Sequence, residues 1–477
     1  MKTTKLFFMA ALALLMTACS NNDDNDFPQQ PQKAEGITIT AHLAPKTDGA
    51  ATRAVAPGKD TDDKDIIVST WAKGEHIAIL YEVGSTKYVA DAEITDVDDD
   101  GAATITFTVQ DDTPDNTACT LVYPLSAAKD DHSGVKDFAT LLAAQDGSLD
   151  ANLDVRVGAA TVKTSTPSLK VTTQPAAQFC IFKLTMKDID GSADVSASSV
   201  VISNQSGTVT TVTPASGYEK MMYVALPTTA TTLKFLVTSG TGSDSKKYFN
   251  MASGLTLKTE FYPSTVKLAT VGNVIASNGK CYKNNAATPG GNTAVAMITY
   301  LGNDAENNAT YQNGLALALK DVSSSQLWGK GGSETYQRTC LDNQYTTWNT
   351  AITDIDGIAN TDALVSHTKH THPAAQIATD YESLGVKHPT GTSEWFLPSC
   401  GQWYKMQTAA GSYNQLCNSF SSIGGTNMTN MGSGRYWSST EYSKDNAWSS
   451  YYDNYSANSR PAKGSSTNMK VRSCLAF

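Results

Sequence analysis

The sequence predicts a mainly β protein, with two antiparallel β-sandwich domains followed by an α+β domain. Between residues 36 and 268, short runs rich in Thr, Val and Ile alternate with turn residues, a pattern typical of sandwiches. The composition then changes, because six of the seven tryptophans follow Val271. A chain of 477 residues is long enough for several such domains.

The first sandwich is predicted over residues 36–166 and the second over residues 167–269. Apolar and polar side chains alternate along their strands, as they do when one face of a sheet is buried. In the first domain, the runs with this pattern are residues 37–40, 76–81, 103–109 and 118–123. In the second domain, they are residues 179–186, 200–202, 221–226 and 233–237.

The third domain is predicted over residues 270–477. It is rich in Asn, Ser, Gly and Tyr, and its long loops lie between aromatic strands. Helices are expected at residues 321–328 and 374–384.

The N-terminus predicts export as an outer-membrane lipoprotein precursor. Residues 1–18 have the charged start, the short apolar stretch and the small residues of a signal peptide, and Cys19 follows as the residue to be acylated, for example with palmitate. An ordinary signal peptide with a free Cys19 is the alternative. Residues 19–35 are polar and acidic, which predicts a solvated tether to the lipid anchor.

Charge and cysteine content exclude some classes of function. The 46 acidic and 36 basic residues leave a net charge of −10, which argues against nucleic-acid binding. Of the eight cysteines, seven remain after Cys19, so at least one thiol is unpaired, and the disulfide pairing stays open. No metal site and no catalytic motif is recognisable, and we expect that the chain is not an enzyme.

Three ordered segments in the first two thirds of the chain carry a resemblance to a known family. They are Ala-Thr-Arg-Ala-Val at 51–55, Trp-Ala-Lys-Gly-Glu-His-Ile at 71–77, and Leu-Val-Tyr-Pro at 121–124. Together with the lipoprotein signal, they make this part similar to the fimbrillin (Mfa-like) pilin superfamily of surface fimbriae. The resemblance implies proteolytic processing between Arg53 and Ala54, although Arg53 can also be read as a solvated loop residue.

The resemblance also implies partners. Loss of the leading strand would open a groove that other pilin subunits fill by donor-strand insertion. The physical basis is that an unpaired sheet edge satisfies its backbone hydrogen bonds with a strand from another chain.

The remaining residues resemble a different group, the C-type-lectin-like domains that share their fold with sulfatase-modifying factors. This resemblance implies an adhesion domain of α+β build. The matching segments are residues 279–282, 314–319, 394–399, 401–403, 436–441, 447–448 and 471–472.

A loop at residues 441–460 is the predicted ligand-binding surface, because it is polar and aromatic with few aliphatic side chains. Its oxygen atoms could hold Ca²⁺ together with a sugar, although no order of ligands establishes this. The tryptophans Trp395, Trp403, Trp437 and Trp448 are interpreted as core residues. The candidate ligand-binding residues are Tyr442, Asp445, Asn446, Tyr451, Tyr452, Asp453 and Asn454.

These patterns predict a fimbrial subunit at a pilus tip, which accepts a neighbour's strand and binds a glycan or protein on a host or bacterial surface. The alternative is a surface lipoprotein that binds glycans and never polymerises. A third, less favoured interpretation is an enzyme acting on surface polysaccharide.

Overall fold

The fold is mainly β and most of its strand pairs are antiparallel, which confirms the predicted fold class. None of the helices in the described residues is long and apolar enough to cross a membrane. The computed structural model describes residues 36–46, 55–59, 65–143, 145–150, 153–284, 291–329, 345–368, 371–409, 418–428, 434–450 and 458–477.

The N-terminal unit is a seven-stranded antiparallel sheet with a separate hairpin. The sheet order is β1-β6-β5-β4-β7-β8-β9. The strands are β1 (Ile37–Leu43), β4 (His76–Val83), β5 (Thr86–Val97), β6 (Ala103–Val109), β7 (Thr117–Tyr123), β8 (Arg156–Lys163) and β9 (Ser168–Ala177), and the hairpin is β2 (Val55–Lys59) with β3 (Asp65–Ser69).

Alternating side chains form the core of this unit. On β6, Ala103, Ile105, Phe107 and Val109 are buried, and the residues between them are more exposed. The two outer strands, β1 and β9, approach each other, so the inner side chains of the sheet surround one core. The opposite face packs against helix α1 (Phe138–Leu142) and against strands of the next unit.

The first sheet extends beyond the boundary that the sequence suggests at residue 166. Strand β9 begins at Ser168 and pairs with β8, so it belongs to the N-terminal unit. The change of sheet occurs at Gln178, between β9 and the first strand of the next unit. The predicted boundary between residues 166 and 167 lies in the turn, residues 164–167, that joins β8 to β9.

The middle unit is a sandwich of two sheets. One sheet has the order β13-β10-β16 and the other β12-β11-β14-β15, and both contribute side chains to one core. The pair β10–β16 is parallel, whereas the other pairs are antiparallel. The strands are β10 (Phe179–Asp188), β11 (Ser199–Asn204), β12 (Gly207–Val212), β13 (Met221–Pro227), β14 (Thr232–Ser239), β15 (Lys246–Ser253) and β16 (Phe261–Leu268).

The C-terminal unit combines two sheets with short helices. The sheet orders are β18-β17-β19-β20-β25 and β23-β22-β21-β24. Its strands are β17 (Val274–Ala276), β18 (Cys281–Tyr282), β19 (Ala294–Leu301), β20 (Gly314–Ala318), β21 (Arg435–Glu441), β22 (Ala447–Ser450), β23 (Asn458–Ser459), β24 (Met469–Lys470) and β25 (Cys474–Ala476). Its helices are α2 (Trp348–Ala351), α3 (Gly357–Val365), α4 (Pro373–Thr379) and α5 (Cys400–Ala409).

Of the two predicted helices, one is present in the structure and the other is not. The helix expected at 374–384 exists as α4 followed by a 3-10 helix, Asp380–Leu384. The prediction of a helix at 321–328 is wrong, because this segment consists of bends and irregular backbone with one isolated β-bridge, from Ser323 to Val471. The N–H groups of Val322 and Gln326 donate to the carbonyls of Val471 and Met469, at 2.9 and 2.8 Å, so distant residues replace the local helical bonds.

The middle and C-terminal units share a hydrophobic core. The rings of Phe249 on β15 and Phe477 lie 4.4 Å apart between centroids. Gly391 packs against Met251, and its φ of +93° is a backbone conformation that favours glycine. The C-terminal unit is therefore packed firmly on the outer sheet of the middle unit.

Candidate functional site

Strand β1 completes one edge of the N-terminal sheet. All seven of its residues are paired antiparallel with residues of β6. Ile39, Ala41 and Leu43 point into the core, where at most 6% of each residue is exposed. Because buried apolar surface contributes roughly 25 cal/mol per Å², these three side chains hold the strand in the groove between β6 and β9.

The outer face of β1 makes exposed polar contacts with β6. Exposed hydrogen bonds of this kind contribute little beyond what water offers, so the inner face dominates the attachment of the strand. The contacts are Thr38 Oγ1 to Thr108 Oγ1 at 3.3 Å, Thr40 Oγ1 to Thr106 Oγ1 at 3.5 Å, and His42 Nδ1 to Thr104 Oγ1 at 3.1 Å.

A buried ion pair lies just beyond β1. Lys46 is 5% exposed, and its Nζ donates to Oδ2 of Asp154 at 3.1 Å. The other carboxylate oxygen accepts a hydrogen bond from Nε of Arg156 at 2.8 Å, and the Ser69 hydroxyl also donates to Asp154. The carboxylate is thus compensated by two cations, one of which belongs to the segment that carries β1.

Two aromatic rings form the walls around the Lys46 ammonium. Its Nζ lies 4.3 Å from the ring centroid of Trp71 and 3.8 Å from that of Tyr123. Trp71 Nε1 donates to the carbonyl of Ala44 at 2.9 Å, and the Tyr123 hydroxyl donates to Glu75 at 2.9 Å. Burial lowers the pKa of Lys46, and Asp154 opposes this shift. Sequence reasoning missed this site, because its residues are far apart along the chain.

The predicted processing site falls between two described segments. Arg53, Ala54 and the predicted lipidation site Cys19 lie outside the described residues. Lys46 ends the described segment before them, and β2 begins at Val55. A cut after Arg53 would therefore separate β1 and Lys46 from all the other strands of the sheet.

The predicted ligand-binding loop is described only in part. Asn446 stabilises a turn, because its Nδ2 donates to the carbonyl of Arg460 at 2.7 Å and its own carbonyl accepts from Tyr442 N at 3.1 Å. The Asp445 side chain is 45% exposed, and its Oδ2 lies 4.0 Å from the Lys444 ammonium. Asp445 can therefore contact a ligand, whereas Asn446 has a structural role. Tyr451, Tyr452, Asp453 and Asn454 lie outside the described residues.

Arg460 adds an exposed cation to this surface. Its guanidinium lies 4.7 Å from the ring centroid of Tyr442 and 5.5 Å from that of Trp448. The two rings contact each other edge to face at 5.5 Å. The stack holds the guanidinium over the two rings, and folding brings Arg460 to Tyr442 and Trp448 although they are distant in sequence.

The tryptophans of the C-terminal unit form scaffold. Trp395, Trp403, Trp437 and Trp448 are at most 2% exposed. Each indole N–H donates to a backbone carbonyl, so the buried donors are satisfied. The acceptors are the carbonyls of Val386 at 3.0 Å, Trp437 at 3.1 Å, Gln326 at 2.7 Å and Tyr345 at 2.8 Å, respectively.

Two buried acids link the helices to the sheets of this unit. Asp354 accepts hydrogen bonds from Thr440 Oγ1 at 2.6 Å and from Asn360 Nδ2 at 3.0 Å. Glu306 accepts a hydrogen bond from Gln402 Nε2 at 2.8 Å. Burial raises the pKa of Asp354 to about 6 and that of Glu306 to about 8. The sequence contains no motif that indicates either acid.

We expect the C-terminal unit to lose stability as the pH rises from about 4.5 to about 8. Burial raises the pKa of Glu306 in the folded state from an ordinary 4.5 to about 8, so over this range the folded state retains a proton that the unfolded chain releases. The free energy of unfolding then falls by up to about 1.4 kcal/mol per pH unit. Urea denaturation at pH 5, 6.5 and 8 measures this slope.

The Glu306→Gln variant should have a flatter pH dependence than the wild-type chain. Glu394→Gln is the matched control, because Glu394 is exposed on the same unit. An unchanged slope in the Glu306→Gln variant would assign the pH dependence to another group.

The described thiols are buried and unpaired. Burial raises the pKa of Cys119 and Cys281 to about 12 and that of Cys180 to about 11, and it raises the pKa of Cys400 and Cys474 well above the ordinary value. Thiolate nucleophiles need a lowered pKa, so these five are packing residues. Within the described part of the chain, no three His, Cys, Asp or Glu side chains are grouped to hold a metal.

The fold and these sites define a multi-unit β protein in which the strand that completes one sheet lies before the predicted processing site. Among solved structures, the chain is similar to a fimbrial protein from Bacteroides ovatus, with 16% identity and a TM-score of 0.32 over 86% of this chain and 95% of that one. It is also similar to a fimbrial assembly protein from Parabacteroides distasonis, with 12% identity and a TM-score of 0.28 over 48% of this chain and 90% of that one.

These TM-scores are too low for the similarity to assign a function by itself. No protein-family model matches the chain, and no curated protein matches it significantly. The C-type-lectin-like assignment of residues 270–477 stays a prediction.

Proposed function

We propose that the chain is a cell-surface fimbrial subunit that assembles by strand exchange. The observation that supports this best is the position of β1, which fills the edge of the N-terminal sheet and lies entirely before Arg53. In the precursor, β1 occupies the groove and a lipid on Cys19 anchors the chain to the outer membrane. Cleavage after Arg53 releases both, and a strand from a neighbouring pilin subunit takes the place of β1.

The groove left by β1 favours a new strand. Removal of β1 exposes the edge of β6 and uncovers Ile105 and Phe107, which β1 covers in the uncut chain. An incoming strand with alternating apolar side chains would pair with the same backbone groups and cover the same core. The exchange is therefore close to balanced in hydrogen bonds and buried area.

The C-terminal unit is proposed as the adhesive end of the subunit. Strand β25 pairs with β20, and its residues are 0% exposed. Release of this strand would open the core of the C-terminal unit, so β25 is unsuited to donation. A subunit that accepts a strand through its N-terminal unit and does not donate β25 fits a position at a pilus tip.

Mass spectrometry of the N-terminus tests the processing step. The chain is isolated from sheared filaments and, separately, from outer membranes. Filament material is expected to begin at Ala54, and Arg53→Ala should abolish incorporation into filaments while leaving the membrane form. Thr52→Ala is the matched control, because it changes the neighbouring residue and keeps the arginine. Filaments that contain the uncut chain would contradict the proposal.

Adhesion is proposed to use the loop at residues 441–460. Replacing Tyr451 and Tyr452 with Ala should weaken binding of whole filaments to a glycan array at least tenfold, because each aromatic anchor of a binding surface is worth about 1 kcal/mol or more. Export and filament length are measured alongside and should not change. Unchanged binding would place the ligand elsewhere.

The alternative function is a surface lipoprotein that binds glycans and never polymerises. The buried Lys46–Asp154 pair favours it, since this pair fastens the β1 segment to the rest of the unit. In that case the mature chain keeps a lipidated Cys19 and an intact Arg53, and the filament fraction contains none of it.

A further inference from the structure

The surroundings of Lys46 have the chemistry of a cation-binding pocket. We define the Lys46 pocket by Trp71, Tyr123 and Asp154, which together contact the ammonium group. Electron-rich ring faces and a carboxylate attract a cation, and a long aliphatic stem is needed to reach between the rings. The pocket thus matches a lysine side chain in both charge and shape.

Cleavage after Arg53 would empty this pocket. Lys46 precedes Arg53 in the chain, so it leaves together with β1, whereas the three pocket residues stay with the sheet. Arg156 remains on one oxygen of Asp154, and the oxygen that faced Lys46 loses its cation. A buried carboxylate that loses a partner is strongly destabilised, so the empty pocket favours a new cation.

We propose that the Lys46 pocket is a recognition site for a lysine of whichever strand lies on β6, and that it fixes the position of that strand. Lys46 occupies it in the uncut chain. After cleavage, a lysine of the neighbouring subunit's strand occupies it. This inference rests on the proposed strand exchange and adds a chemical requirement for the partner.

The geometry specifies where this lysine stands in the incoming strand. Ile39, Ala41 and Leu43 point into the core, and Lys46 follows the last of them by three residues. The hydrogen bond from the Trp71 indole N–H uses only a backbone carbonyl of the β1 segment, that of Ala44, so any strand in this register can accept it. A partner strand running in the direction of β1 should therefore carry three alternating apolar residues and a lysine three positions after the third.

Peptide competition on the full chain tests whether the incoming strand requires this lysine. A recognition sequence for a site-specific protease replaces residues 47–53, and the cut chain is loaded with a fluorescent peptide of residues 36–53. Unlabelled peptides of the same segment then compete for the groove, and anisotropy reports displacement. The competitors are the wild-type peptide, a Lys46→Met peptide, and a Lys46→Met/Thr47→Lys peptide that keeps the net charge but moves the cation by one residue.

The wild-type peptide should displace the label about 100-fold more effectively than the other two, because they lack a buried charged partner for Asp154. Equal competition by the Lys46→Met peptide would overturn the proposal that the pocket recognises a lysine, while leaving the proposed strand exchange intact. Full competition by the charge-shifted peptide would also overturn it, because general attraction to an acidic surface would then suffice. If the wild-type peptide itself never displaces the label, the proposed strand exchange fails.

Hydrogen exchange in the uncut chain tests the pocket without any cleavage. The Lys46→Met variant should exchange the β6 amides that pair with β1 at least tenfold faster than the wild-type chain, since the strand loses its anchor. Lys73→Met is the control, because Lys73 is an exposed lysine of the same unit. Unchanged β6 protection in the Lys46→Met variant would show that the pocket does not hold the strand.

Discussion

Replacing Lys463 with Met should lower the free energy of unfolding of the C-terminal unit by about 3–5 kcal/mol, because it removes the cation that pairs with a buried carboxylate. The Lys463 side chain is 2% exposed and that of its partner Glu441 is 0% exposed. Lys463 Nζ also donates to the carbonyl of Lys444 at 3.0 Å and lies 4.9 Å from the Trp328 ring centroid. The pair therefore fastens the loop that carries Asp445 to the end of β21.

Urea denaturation followed by tryptophan fluorescence measures this effect, since six of the seven tryptophans lie in the C-terminal unit. Lys444→Met is the matched control. Lys444 is exposed and 4.0 Å from Asp445, so its loss should cost under about 0.5 kcal/mol. The double variant Lys463→Met/Glu441→Met should recover most of the stability, because it removes both charges. A loss below 1 kcal/mol for Lys463→Met alone would mean that water or another cation compensates Glu441.

Replacing Trp403 with Ala should also cost about 3–5 kcal/mol of unfolding free energy, as is usual for a large aromatic side chain in a core. Trp403 on α5 is 1% exposed and packs 5.5 Å from the Tyr436 ring centroid. Its indole N–H donates to the carbonyl of Trp437, so truncation also removes a satisfied buried hydrogen bond.

Trp348→Ala is the control of the same residue type, because Trp348 is only partly buried. We expect it to cost clearly less than Trp403→Ala. Glycan binding by the folded fraction of the Trp403→Ala variant distinguishes packing in the core from stacking on a ligand. Reduced affinity with unchanged stability would make Trp403 part of a ligand-stacking face and contradict its assignment to the core.

Several strands follow directly from local patterns. The alternation in residues 103–109 and in residues 179–186 predicts β6 and β10, because a half-buried strand must place apolar side chains on one face. The same argument finds β1, whose inner residues are apolar and whose outer residues are threonine and histidine. The burial of the tryptophans likewise follows from residue type.

Other features depend on partners that are distant in sequence. Residues 321–328 could form a helix locally, but the chain near residue 470 accepts hydrogen bonds from their N–H groups instead. The boundary at residue 166 lies in a β-turn within one sheet, and turn residues do not distinguish a hairpin from a link between domains. Only the pairing of β9 with β8 resolves this.

The candidate sites show the same division. The positions of Arg53 and of the loop at 441–460 can be identified from the sequence, because short segments of distinctive composition mark them. The contact of Arg460 with Tyr442 and the burial of Glu306 cannot be identified from the sequence. Each arises from strands and helices that folding brings together.

The sequence by itself determined that this chain is mainly β, that its last 200 or so residues have a different build, and that β1 precedes the predicted cut. These properties are encoded in side-chain alternation and local composition, which need no tertiary contacts. Only the tertiary structure decided that Lys46 is buried between Trp71 and Tyr123 on Asp154, and that β25 is held in a core. The physical reason is that burial and charge pairing depend on which distant segments meet, and alternation along one strand does not specify its neighbours.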